Sequence, residues 1–337
     1  MKPFKSYVVR TNEENQVTHQ VEEVTESFLG EGNTTIAVEY SSINYKDMLA
    51  LQTKGGVIRS YPMIPGIDLA GTIISSEDPS LSPGDSVLIT GYKLGTEHTG
   101  GFSEVARVPS EWVVKLPKNL SAKDAMLYGT AGFTAALSIA ALEKNGMKVE
   151  DQPEILVTGA TGGVGSVATQ ILRKLGYENI TATIRKDYQV ESAKEFGATK
   201  IWNITEDESN GRPLNRREYK YVVDTVGGDL TADILSKVDE YGSVAISGNA
   251  GGVKLNTTVL PFILRGVNLL GINSVSTPMA EREELWNKLA NEWNIVNVLH
   301  NTEITLQEVP ETAAKLKAGQ HLGRTIIKIN GTLVKGD

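Results

Sequence analysis

The chain has 337 residues, 40% of them hydrophobic, and a formal net charge of −8. That length suits about two domains with substantial cores, and the acidic balance argues against nonspecific nucleic-acid binding by the whole surface. No cysteine is present, which excludes a disulfide framework, a thiolate nucleophile and cysteine zinc ligands. No apolar run approaches the roughly 20 residues that span a bilayer, and Met1-Lys2-Pro3-Phe4 runs into a strand without a signal-peptide core, so a cytoplasmic protein with no membrane association is expected.

The N-terminal part is expected to be β-rich. Short runs at Ser6 to Arg10, Thr34 to Tyr40, Gly71 to Ser75, Ser86 to Thr90, Gly101 to Val108 and Trp112 to Lys115 are separated by Gly, Pro, Asp and Asn, which predicts a small irregular barrel. Pro83-Gly84-Asp85 is a turn, because proline presets φ and glycine accepts the conformation other residues avoid. Between Ala122 and Leu142 the pattern becomes helical, which marks the transition to a second domain.

The strand beginning ILV at Ile155 then runs into a glycine-rich turn, with Gly159, Gly162, Gly163 and Gly165, and on into a helix whose apolar residues (Val164, Val167, Ala168, Ile171, Leu172, Leu175) recur at helical spacing. Glycine lets a backbone approach a pyrophosphate closely, and the helix N-terminus offers free N–H groups to it, so this is a dinucleotide-binding signature. Strands are expected at 155–158, 180–184, 200–203, 220–223, 243–247 and 268–273, alternating with helices near 164–175, 188–196, 229–236 and 258–265, as in a six-stranded doubly wound parallel sheet. Two further helices, Glu281 to Glu292 and Val309 to Ala318, precede a closing strand, Gly323 to Ile329, expected to return to the first domain.

The end of the second sheet strand selects the cofactor. An NAD-preferring site carries an acid there, whereas this chain has Thr183, Arg185 and Lys186, with Asp187 one residue beyond, and two cations beside a hydroxyl suit the 2′-phosphate of NADPH. Glycines recur where later strands end, at 224–228, 247–252 and 271–274, consistent with a flat ring against the backbone or with plain turns. In Ser41-Ser42-Ile43-Asn44-Tyr45-Lys46-Asp47, Tyr45 is the expected hydrogen-bond donor to an enolate oxygen. Asp47 suits a first helical turn, and Asp68, an acid in an apolar strand, is expected to pair with Lys46 or Arg59. The four histidines, His19, His98, His300 and His321, stand at no metal-ligand spacing, so no metal is expected.

Together SSINYKD (41–47), SYPMIPGIDLAGT (60–72), GTAGFTAALS (129–138), ILVTGATGGVGS (155–166), DTVGG (224–228) and PFILRGVNLLGINSV (261–275) resemble the zinc-independent quinone oxidoreductase branch of the medium-chain dehydrogenase/reductase superfamily, in its YhdH/YhfP subgroup, which includes NADPH-dependent acryloyl-CoA reductases. The resemblance implies an α/β protein, with a GroES-like irregular β-barrel catalytic domain over 1–124, completed by 276–337, and a Rossmann NADPH-binding domain over 125–275. NADPH and substrate would lie in the cleft between them. Tyr45 would stand beside the nicotinamide, Thr161, Gly162, Gly163, Val164 and Gly165 at the pyrophosphate, and Thr183 with Arg185 at the 2′-phosphate. Asn44, Thr130, Val226, Gly227, Asn249, Ile263 and Ser274 complete the cofactor set. Family members are commonly homodimers. The loop Tyr92 to Thr99 departs from the tryptophan-bearing loop of close acryloyl-CoA reductases, and Asn249 stands where those often have leucine.

The expected activity is therefore metal-independent, NADPH-dependent reduction of a small-molecule quinone or activated C=C bond, such as an enoyl thioester or enone. The alternatives are a zinc-independent alcohol dehydrogenase, which lacks a good histidine for a proton relay, and a nucleotide-sensing or RNA-binding protein on the same fold, against which the charge balance speaks.

Overall fold

The structure, a computed structural model, describes residues 1–206 and 211–329 and divides into two compact units. One comprises residues 1–130, 275–291 and the chain from His300 onward; the other comprises 131–274 and 292–299. Residues 330–337, within the expected C-terminal completion of the first domain, lie outside the described residues.

The first unit opens with β1 (Phe4–Thr11), β2 (Val17–Val24), β3 (Thr34–Ser42), α1 (Tyr45–Ala50), β4 (Asp68–Ser76), β5 (Ser86–Thr90), β6 (Val105–Val108) and β7 (Val114–Lys115). β1 and β2 form an antiparallel hairpin. Its link is tied by the Asn12 side-chain oxygen, which accepts from the N–H groups of Glu14 and Gln16 at 3.1 and 2.8 Å. The sequence reading omits β2 because VTHQVEEV is mostly polar and buries only Val24 fully. After β7 comes α2 (Ala122–Lys144), which breaks at Gly129, and the chain leaves the first unit between Thr130 and Ala131. Contrary to the sequence expectation, α2 is long and apolar enough to cross a membrane, but 89% of its apolar window is buried in the fold, as befits a core helix.

The second unit runs β8 (Ile155–Val157), α3 (Gly163–Lys174), β9 (Ile180–Ile184), α4 (Gln189–Glu195), β10 (Lys200–Asn203), β11 (Tyr219–Asp224), α5 (Gly228–Lys237), β12 (Val238–Ile246), α6 (Leu260–Arg265) and β13 (Asn268–Gly271). The six strands form one parallel sheet in the order β10-β9-β8-β11-β12-β13, the doubly wound Rossmann order. Leu156, Val222, Ile234, Leu235, Val238 and Val244 join sheet and helix in one apolar cluster. The order reverses between β8 and β11, and ligands of such sheets bind beyond the carboxyl ends at that point.

The chain returns to the first unit through α7 (Met279–Ala290), β14 (Asn301–Ile304), α8 (Val309–Lys317) and β15 (Arg324–Lys328). The larger sheet of this unit runs β14-β15-β3-β4-β5-β7, with β6 also on β3. β3 is its hub: Thr34–Ala37 pairs with β6 and Tyr40–Ser42 with β15, while β4 takes the other edge. The buried guanidinium of Arg282, on α7, donates to Thr90 O (2.8 Å), Thr90 Oγ1 (2.9 Å) and Val275 O (3.3 Å) and lies 4.6 Å from the ring centre of Tyr92. These bonds pin the start of the Tyr92–Thr99 loop to the returning segment.

Candidate cofactor and active site

In the second unit the turn after β8 is shaped by glycines for different reasons. Gly159 takes φ +56°, and a Cβ on Gly165 would stand 2.3 Å from Gly159 O, so only glycine lets α3 start this close to the strand. Gly162 is different: a Cβ there would meet only Gly159 O, at 3.3 Å. Gly162 caps α3 without a side-chain hydrogen bond, so the first N–H groups of the helix, on Gly163, Val164 and Gly165, are left to a ligand or solvent. Such uncapped donors, with the positive end of the helix dipole, fit a pyrophosphate.

The neighbouring strand supports this turn. Thr183, on β9, accepts from Gly159 N–H at 3.1 Å, and its hydroxyl keeps its own proton for another acceptor. Arg185 and Lys186 follow, both exposed. Their backbone N–H groups donate to Gln189 Oε1 at 2.9 and 3.1 Å, while Gln189 Nε2 donates to Thr161 Oγ1 at 2.9 Å. Gln189 therefore clamps the basic loop to the glycine turn. The sequence reading missed it, since a glutamine at a helix start carries no periodic signal.

Val226, Gly227 and Asn249 come together where β11 and β12 end. Gly251 N–H donates to Val226 O at 2.8 Å, and a Cβ on Gly248 would stand 1.8 Å from Thr225 O, so glycine is required for the two loops to touch. Beneath them the buried Asp224 carboxylate accepts from Thr158 Oγ1 (2.6 Å), Val226 N–H (2.9 Å), Gly227 N–H (3.2 Å) and Thr231 Oγ1. Loop packing thus accounts for the glycines of these two turns. Asn249 is exposed, Ile263 is 68% exposed on α6, and Ser274, partly buried, ends the first segment of the second unit.

In the first unit, Asn44 caps α1 through a reciprocal box: its side chain accepts from the Asp47 N–H, and Asp47 Oδ2 accepts from Asn44 N–H at 2.8 Å. Tyr45, the first helical residue, is 45% exposed. Asp47 is buried, and its other oxygen accepts from Ile67 N–H at 3.0 Å. Burial, reinforced by the nearby Asp68 carboxylate, pushes its pKa up to about 7 against these hydrogen bonds.

Asp68 is fully buried and accepts from Ser42 Oγ (2.5 Å), Asn44 Nδ2 (2.8 Å), Thr130 N–H (2.9 Å) and Thr130 Oγ1 (2.5 Å). Neither expected cation supplies its charge partner: Lys46 is partly buried, Arg59 is exposed, and neither bonds to it among the described residues. The compensating cation is Arg324, on β15, whose Nη2 donates to Ser42 Oγ at 3.0 Å and whose Nε donates to Leu127 O at 2.9 Å. Burial lowers the Arg324 pKa, while Asp68 and Asp47 act to hold its proton.

Two family descriptions match: the alcohol dehydrogenase GroES-like domain over residues 30–118 and the zinc-binding dehydrogenase over 163–291. The zinc of the second description would find no cysteine in this chain, and among the described residues no group of three or more His, Cys, Asp or Glu is placed to hold a metal. The putative quinone oxidoreductase YhfP of Bacillus subtilis is 42% identical over 97% of this chain and 99% of its own. Its crystal structure with NAD bound gives a TM-score of 0.93 at 41% identity, covering 97% of this chain and 100% of that one. The probable acrylyl-CoA reductase AcuI of Escherichia coli is 44% identical over 92% of this chain and 95% of its own. The yhdH oxidoreductase of Salmonella enterica, solved with NADP, has a TM-score of 0.93 and 42% identity, covering 97% of this chain and 100% of that one.

Proposed function

This chain belongs to the zinc-independent quinone oxidoreductase branch of the medium-chain dehydrogenase/reductase superfamily, and on that footing we propose that it is an NADPH-dependent reductase of quinones or activated C=C bonds. The observation that carries the reading is the end of β9, where Arg185 and Lys186 stand exposed and are clamped by Gln189 to the glycine turn. Two cations there favour a 2′-phosphate; an acid favours the free ribose hydroxyls of NAD.

Thr161 to Gly165 would hold the pyrophosphate, Thr183 and Arg185 the 2′-phosphate, and Val226, Gly227, Asn249, Ile263 and Ser274 the rest of the cofactor, with Thr130 and the Asn44–Tyr45 cap from the first unit. NADPH, when bound, supplies the hydride that an electron-poor substrate carbon accepts. Tyr45 donates a hydrogen bond to the oxygen on which negative charge then develops, and water returns a proton to the neighbouring carbon. Its exposed ring supports that role better than that of a buried anchor.

NADPH oxidation measured with 1,4-benzoquinone, acryloyl-CoA, crotonyl-CoA and simple enones tests the reading, and ranking by kcat/KM separates quinone from enoyl reduction. Turnover with at least one of these classes is expected. NADPH oxidation with none of them, alongside turnover of simple alcohols with NADP, would move the chain to the alcohol dehydrogenases.

We further propose a homodimer. β13 ends the six-stranded sheet, and Val259, at the cap of α6, and Leu264, on α6, are 64% and 59% exposed. A free strand edge with an apolar rim suits pairing with a second copy.

A further inference from the structure

We propose that Asp68 is the positioning residue of the active site, holding Tyr45, through the Asn44 cap, in register with Thr130. The inference rests on the reductase reading above and names what sets the geometry of its proton-donating side.

The carboxylate makes four hydrogen bonds to three structural elements, two of them consecutive in the chain and the third some distance along it. From the end of β3 it takes Ser42 Oγ; from the α1 cap, Asn44 Nδ2; from the break in α2, both the N–H and the hydroxyl of Thr130. The Asn44 side chain is spent entirely inside this network, since its amide nitrogen faces Asp68 and Asp47 while its oxygen takes the Asp47 N–H. Its contribution to the site is therefore the position of the next residue, Tyr45.

The break in α2 exists for the same cluster. A Cβ on Gly129, at φ +52°, would stand 2.5 Å from both Asp68 Oδ2 and Ser42 Oγ and 2.8 Å from Arg324 Nη2, so glycine alone lets the helix close over the three groups. Opening the helix there turns the Thr130 N–H towards Asp68 and the Leu127 carbonyl towards Arg324, satisfying two backbone groups that a broken helix leaves unpaired. Arg324 meets Asp68 through the Ser42 hydroxyl, which accepts from the guanidinium and donates to the carboxylate. A neutral side chain of the same shape would keep the packing and lose the anion that all four donors face.

The test is a double-mutant cycle of Asp68→Asn and Tyr45→Phe, with kcat for the best acceptor, NADPH affinity by direct binding, and melting temperature measured on each protein. Asp68→Asn is expected to lower kcat about 10- to 100-fold and to change NADPH affinity less than about threefold, because the proposed phosphate contacts lie in the other unit. The double variant should be no more than about threefold slower than the slower single variant. Losses in kcat that multiply, or that merely follow the melting temperature, would overturn the proposal. Should Asp68→Asn not fold, Ser42→Ala removes one donor and keeps the carboxylate; it should show the same non-additivity with Tyr45→Phe on a loss of about three- to tenfold. A wild-type protein that fails to oxidise NADPH with any of the acceptors would remove the reductase reading together with this one, whereas an active wild type with multiplying losses removes this one alone.

Discussion

Tyr45 is the single side chain to which the proposed reaction assigns the most chemistry. It begins a helix whose cap is buried and fully bonded, while its own ring is 45% exposed, so the backbone is fixed and the phenol is available. Tyr45→Phe is expected to lower kcat about 10- to 100-fold and to leave NADPH affinity within about threefold; equal losses in both would show that the ring serves binding alone. Another single residue sets an acid limit. His321 has Nε2 at 2.8 Å from Thr325 Oγ1 and a buried Nδ1 without a partner among the described residues. Burial first, and the Arg324 charge second, drive its pKa down to about 4. The unfolded chain, titrating near 6.5, binds this proton earlier, so the stability from the neutral ring is complete above about pH 6.5 and is lost as the pH falls towards 4. Between pH 7 and 4.5 the wild type should lose on the order of 2 kcal/mol more than His321→Gln in equilibrium denaturation; parallel losses would contradict it.

Among the elements, α3 and its glycine turn separate folding from binding. Gly165 has no room for a side chain, whereas Gly162→Ala adds a methyl group that meets only one carbonyl, at the helix N-terminus proposed to hold the pyrophosphate. That substitution is expected to cost about 1 kcal/mol or less in stability and to weaken NADPH about tenfold or more, a contrast that thermal melts and direct binding resolve. Unchanged NADPH affinity would take the pyrophosphate away from this turn. The same region was the most legible in the sequence. Strands at 180–184 and 200–203 fall where the sequence places them: ITATI is buried throughout and β-branched at all but its central residue, while KIWN, the partly buried edge strand, follows at the spacing that alternating strands and helices require. β2 and β14 are polar edge segments without that signal. Arg324 and Gln189 escaped for a different reason: each acts through partners distant in sequence, which neither periodicity nor a local motif reveals. Asp68 was legible as a buried acid, but its cation was not.

At the scale of the whole molecule, one unit carries a basic strand end clamped to a glycine turn and the other a capped, exposed phenol, on a chain whose relatives match it almost end to end. The proposed dimer is tested by solution mass: a mass of twice 36.4 kDa is expected, and Leu264→Glu should shift it towards the monomer. A monomeric wild type would remove it. The central claim is the NADPH-dependent reductase activity, and it is tested most directly by measuring kcat/KM for NADPH and for NADH with the best quinone or enoyl acceptor, in the wild type and in Arg185→Ala. The account predicts a wild type that prefers NADPH, and a variant that loses about tenfold or more with NADPH while changing little with NADH. Turnover that prefers NADH, or a variant that loses equally with both cofactors, would contradict it.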